Sequence, residues 1–289
     1  MIGRLWLALA LAATAPVAPP DDGPLELDVR AADRQRLDQL GELGRKIFDF
    51  DQASRAAADA IAARVPAERL STARGSWIVE PSNDGALSVT YNDRAKVLFS
   101  ARWKDGRLFE DKLVPPGEAR PLTPVEDRMT RAKDVATAQI EPSGFPRCAP
   151  KYNIIVLPPS APDAPISVYV LTPQDAPGTF PVGGHMRFDV GADGRIVASR
   201  AFARACLSLR PERTPDGLLS AGRTAAMGTT HLLDNMPTEI HAYMSAWAGV
   251  PVFVGTPDER FWLVDRQRIS LVSRTGPAGM RIRAAARTK

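Results

Sequence analysis

The sequence predicts an α+β fold: antiparallel sheets with helices packed on one face, arranged as two helix-then-strands units plus a C-terminal β-meander. Three observations lead there. Apolar residues recur at three- and four-residue steps in two regions, as a buried helix face requires. Each region is followed by short β-branched and aromatic segments of strand length. Asp84-Gly85, Asp105-Gly106 and Asp193-Gly194 punctuate those segments, and an Asp-Gly pair accepts the positive φ angles of a tight hairpin.

The elements follow in chain order. MIGRLWLALALAATAPVAPP places Arg4 before an apolar run from Leu5 to Ala13, then small residues and prolines. A run this short does not span a bilayer, and the pattern is that of a secretory signal peptide over residues 1–18. Ala13-Thr14-Ala15 has the cleavage spacing, although Pro16 hinders that cut, and Ala10-Leu11-Ala12 or a site near Ala18 are alternatives. Residues 19–27 read as a linker. The first α+β unit covers 28–115. Leu37, Leu40, Leu43 or Gly44, and Ile47 share one helical face, and Ala-rich SRAAADAIAARV makes a second helical segment from Ser54 until Pro66. SWIVEP, ALSVTYND and AKVLFSARW are its strands, and RLFEDKLV alternates imperfectly, as an edge strand does.

The second unit covers 122–210. Thr123-Pro124-Val125-Glu126 carries a capping hydroxyl, a first-turn proline and a glutamate three residues after the cap, which together start a helix. Val125, Met129, Ala132, Val135 and Ile140 then face one way. KYNIIVLP, ISVYVLTP and GGHMRFDVGADGRIVASRAF follow as strands, with Met186, Phe188 and Val190 alternating against His185, Arg187 and Asp189. Cys148 and Cys206 bracket this sheet. In an exported chain an even pair reads as a disulfide, here closing a loop worth about 4 kcal/mol on chain entropy. The last segment, 218–273, reads as a β-meander of EIHAYMSAW, PVFVGT, FWLVD and RISLV, before a basic tail at 274–289.

The helix-then-strands order over residues 122–200, carried by TPVEDRMTRAKDVA and the FDVGADGRIV hairpin, resembles the PepSY-type modules of exported bacterial proteins. PTEIHAYMSAWAGVPVFVG with FWLVDRQRI is similar to the ends of uncharacterised exported bacterial proteins of no assigned activity. Neither resemblance supplies catalytic residues.

Composition narrows the function. The chain has 289 residues, is 44% hydrophobic and 24% charged, and balances 37 basic against 33 acidic residues for a net charge of +4. That is enough apolar material for a packed core. It shows no concentrated basic face or reading motif, so nucleic acid is not an expected partner. No segment after the signal reaches the length of a membrane span. GxSxG, Walker, GxGxxG, HExxH and CxxC patterns are absent from the sequence, which removes the commonest hydrolase, nucleotide and zinc signatures. The adjacent pairs Glu110-Asp111 and Glu126-Asp127 diverge in direction and make no acid–base couple.

One stretch concentrates reactive side chains: His231, Asp234, Glu239 and His241. As a strand, residues 237–247 put Glu239, His241 and Tyr243 on one face. As a helix from Pro237, Glu239 and His241 point about 200° apart and cannot share a ligand. The strand is the reading adopted, with Glu239, His241 and Tyr243 as a surface strip, His231 capping a loop, and His185 on a solvated strand face paired across the sheet. The expected function is an exported, non-catalytic cell-envelope (periplasmic) protein without a cofactor, its partner a periplasmic protein or a small molecule. The alternative is an exported hydrolase using His231, Glu239 and His241 as a metal or acid–base cluster.

Overall fold

The computed structural model describes residues 27–65, 75–115, 117–211 and 226–274. The predicted signal peptide, the linker up to residue 26 and the basic tail beyond Arg274 lie outside the described residues. The element order is α1 (Ala31–Ala62), β1 (Ser76–Pro81), β2 (Leu87–Asn92), β3 (Val97–Lys104), β4 (Arg107–Leu113), α2 (Pro124–Gln139), β5 (Asn153–Val156), β6 (Ile166–Leu171), β7 (Phe180–Pro181), β8 (Met186–Val190), β9 (Ile196–Ala201), β10 (Ser208–Leu209), β11 (Met227–Thr230), α3 (Glu239–Ala248), β12 (Val252–Gly255), β13 (Phe261–Asp265) and β14 (Arg268–Ser273). The fold is α+β.

The first helix is one continuous rod of 32 residues, not two segments. Nothing between Phe50 and Ser54 breaks a helix, and the buried stripe of Leu37, Ile47, Phe50, Ala53, Ala57 and Ile61 runs through unbroken. Its apolar face lies on the first sheet, ordered β1-β2-β3-β4 and antiparallel throughout. The predicted Asp-Gly turn joins β3 to β4 in two residues, with φ of +51° at Asp105 and +78° at Gly106. Both angles positive make the turn whose twist matches its strands. RLFEDKL is the edge strand β4, and the register shift opposite Ser100–Arg102 accounts for its broken alternation.

The second sheet, β5-β6-β8-β9, is also antiparallel. Its helix α2 begins as expected: the Glu126 amide donates to Thr123 Oγ1 at 3.2 Å, and the Thr123 amide donates back to Glu126 Oε2 at 2.8 Å. Met129, Ala132 and Ala136 of α2 pack on Val168, Val170, Met186 and Phe188, each fully buried large side chain contributing about 1.5–3 kcal/mol. The opposite face carries Tyr169 and Leu171 into a second core shared with α1, α3 and the first sheet. Helices therefore cover both faces of this sheet. The disulfide joins Cys148 to Cys206 with 5.3 Å between Cα atoms. It ties the approach to β5 to the segment beyond β9, beside the short β7–β10 ladder.

In the C-terminal segment PVFV, FWLV and RISLV form the antiparallel strands β12, β13 and β14. The expected strand EIHAYMSAW is instead the helix α3. The fourth strand is β11, which pairs parallel to β12, and α3 makes the crossover between them. α3 lies against α1 at a glycine. A Cβ at Gly44 would sit 2.4 Å from the Glu239 carbonyl oxygen and 2.5 Å from Ala242 Cβ, so only glycine admits this approach. Among the described residues no helix is long and apolar enough to cross a membrane.

Candidate functional site

Local chemistry explains why residues 239–248 coil. Thr238 is in an extended conformation before the first turn, and Gly249 ends the helix at φ +69°, in the left-handed region glycine favours. Glu239 occupies the first turn, where the helix dipole favours negative charge. The alternation in EIHAYMSAW misleads because Glu239 to Ser245 are all buried. A helix buried on every side shows no polar stripe, so its period cannot be read from hydropathy.

The predicted surface strip of Glu239, His241 and Tyr243 is thus a buried one. Glu239 is 2% exposed. Its Oε1 accepts the Tyr169 hydroxyl at 3.0 Å and an Arg187 guanidinium nitrogen at 3.3 Å, both from the second sheet. Burial, followed by the neighbouring carboxylate of Glu239, pushes the Tyr169 hydroxyl far above the usual phenol range. Arg187 also reaches Asp189 at 3.1 Å, and Ser167 donates to Asp189 at 2.7 Å. Among the described residues Arg187 Nε is buried without a hydrogen-bond partner.

The two histidines of the stretch meet, but without Glu239. The rings of His231 and His241 lie 4.9 Å apart at 80°. His231 Nε2 contacts Asp234 Oδ2 at 2.6 Å, and Arg200 donates to the same oxygen at 2.7 Å. Burial opposes ionisation of Asp234, yet His231 and Arg200 hold its carboxyl below the usual range. His241 Nδ1 accepts the Thr238 amide at 3.0 Å. Burial, with His231 beside it, lowers its pKa to about 3, so it is neutral at any ordinary pH. Arg187 and Arg200 are cross-strand partners. One row of the sheet therefore meets Glu239 through Arg187 and Asp234 through Arg200, two adjoining groups with the carboxylates divided between them.

His185 departs furthest from expectation. It is 0% exposed rather than solvated, because Tyr243 of α3 closes over it at 6.2 Å. Its Nδ1 accepts the Thr172 amide at 3.2 Å, and its Nε2 donates to the Pro181 carbonyl at 2.8 Å. Those two bonds define a neutral ring, and burial lowers its pKa to about 4.

A further buried group was not read from the sequence. Asp51, on the apolar stripe of α1, accepts Arg55 at 2.8 Å and the Tyr243 hydroxyl at 3.2 Å. Burial raises the Asp51 carboxyl despite Arg55, and the Arg55 guanidinium lies 5.5 Å from the Trp247 ring centre. The available signal was an acid four residues after Ile47, on the same helical face.

Chemically these groups are spent on one another. A general base needs a nitrogen or carboxylate free to reach a substrate proton. Here Glu239, His185 and His241 each hold internal donors, and His231 is turned to Asp234. Among the described residues no three His, Cys, Asp or Glu side chains gather as a metal-binding group. A concavity lies elsewhere: a cleft of about 870 Å³ between α1 and the turn ends of the first sheet. A smaller one, about 330 Å³, adjoins the disulfide. Neither is lined by His231, Glu239 or His241. No family model, curated protein or solved structure matches the chain.

Proposed function

We propose that the chain is an exported, non-catalytic protein of the cell envelope, acting as a binding or structural module. The carrying observation is that its acid–base side chains are consumed in a buried polar layer between the second sheet and α3, while the 870 Å³ cleft along α1 is lined by other residues. The leader-like first residues support export, and the Cys148–Cys206 disulfide suits an oxidising compartment. Purified protein assayed against peptide, ester, glycan and phosphate substrates is expected to show no turnover. Turnover that vanishes in Glu239→Gln or His241→Ala, with the fold intact by circular dichroism, would overturn the reading. Fractionation of the expressing cells and N-terminal sequencing of the mature chain test the export.

One observation favours the hydrolytic alternative. His231 held by Asp234 at 2.6 Å is an oriented imidazole, the arrangement a general base uses. It is 3% exposed and faces His241 rather than a cleft, which is why the non-catalytic reading is preferred.

A further inference from the structure

The 870 Å³ cleft has the size of a small-molecule site. Its floor is apolar: Phe50 and Trp103 are buried core residues whose edges reach the cleft, and Leu87 of β2, the cross-strand partner of Trp103, lines it beside them. Set into this floor is Lys46, half-buried, with its ammonium 5.6 Å from the centre of the Phe50 ring. Among the described residues no carboxylate or carbonyl pairs with it, whereas its neighbours are occupied. Arg45 holds Asp49 at 2.9 Å, Arg55 holds Asp51, and Lys104 donates to the Asp84 carbonyl at 3.0 Å. Burial already lowers the Lys46 pKa. An ammonium drawn partly out of water with three unspent donors gains most from an anion.

We propose that this cleft binds an amphiphilic monoanion, an apolar chain or ring bearing one carboxylate, with its charge on Lys46 and its apolar part on Phe50, Leu87 and Trp103. The lining selects the charge. Glu42, Asp59 and Asp105 line the cleft together with Arg45, Arg55 and Lys104, but those three cations are already held by Asp49, Asp51 and the Asp84 carbonyl, so the balance suits a single negative group beside Lys46 better than a polyanion such as a nucleotide. The inference rests on the binding reading above and gives it a ligand class.

The test is a titration of the full chain with dodecanoate below its micellar concentration, followed by tryptophan emission, with dodecanol as the neutral control. Saturable binding of dodecanoate is expected, at least tenfold tighter than dodecanol, with the signal lost in Trp103→Phe. Lys46→Met keeps the aliphatic stem over Phe50 and should weaken dodecanoate about tenfold, the worth of one charge-assisted contact, without moving dodecanol. Lys46→Arg should restore most of the affinity. Equal affinities for the two ligands, unchanged binding by Lys46→Met, or no saturation would each overturn the proposal. The absence of turnover in the substrate panel would then still stand as its own result, so the two readings fail separately.

Discussion

Lowering the pH should remove stability stored in one imidazole. His185 is neutral in the fold because the Thr172 amide points at Nδ1 and the Pro181 carbonyl receives the Nε2 proton. A second proton would set an N–H against the Thr172 N–H and place a charge where no water reaches. The folded pKa is about 4 against 6.5 for an open histidine, so between these values the unfolded chain binds a proton that the native chain refuses. Stability then falls as pH falls, by about 1.4 kcal/mol per unit. The contribution is fully present above pH 6.5, and about 3 kcal/mol of it is gone by pH 4. His185→Asn keeps an acceptor for the Thr172 amide, cannot titrate, and loses the bond to Pro181 at a cost of about 1–2 kcal/mol. Urea denaturation of both proteins at pH 7.5, 6.5, 5.5 and 4.5 isolates this group, since other titrating residues largely cancel in the difference. The wild type should be the more stable at pH 7.5, and the order should invert between about pH 5 and 6. A stability difference that stays constant across the series, or a His185 ring that titrates above pH 6 by NMR, would refute the reasoning.

The other expectations concern packing and capping. Gly44→Ala drives a Cβ into the Glu239 carbonyl and Ala242, and should cost about 1–3 kcal/mol through displacement of α3, read from the urea midpoint. Replacing both Cys148 and Cys206 by serine opens a loop of sequence separation 58, and should lower stability by about 4 kcal/mol on the chain-entropy account, matched by wild type unfolded under reductant. Thr123→Ala removes the acceptor for the Glu126 amide and should cost about 1 kcal/mol; a change below a few tenths would mean that Glu126 alone caps α2. Tyr169→Phe takes one donor from buried Glu239 and should destabilise by about 1–2 kcal/mol, with no effect on ligand binding at the α1 cleft.

The buried polar layer gives these numbers a common origin. Glu239, Asp51, His185 and His241 all lie where α3 meets α1 and the second sheet. Each of these four has a partner, although among the described residues Arg187 Nε and Arg55 Nη2 beside them have none, so removing or charging one member should cost much. Such a layer also sets the seating of α3, because its hydrogen bonds are satisfied in one position.

What the sequence determined by itself was whatever depends on neighbours a few residues away. The capping box at Thr123, the Asp-Gly turns, the period-two alternation of Met186, Phe188 and Val190, and the stripe of α1 all follow from backbone geometry over one turn or one hairpin. The cysteine pair was legible for a different reason: once the first residues are read as an export signal, two thiols have few other expected fates. Only the tertiary structure decided which polar residues are inside. His185 stands on the face of β8 that alternation assigns to water, and Glu239 and His241 read equally well as a surface strip. Their burial is imposed by α3, α1 and the second sheet meeting across separations of 50 to 190 residues, and no local pattern carries that information. The coiling of α3 is hidden for the same reason: enclosed on every side, it has no wet face to mark its period, and Thr238 and Gly249 at its ends are the surviving signal.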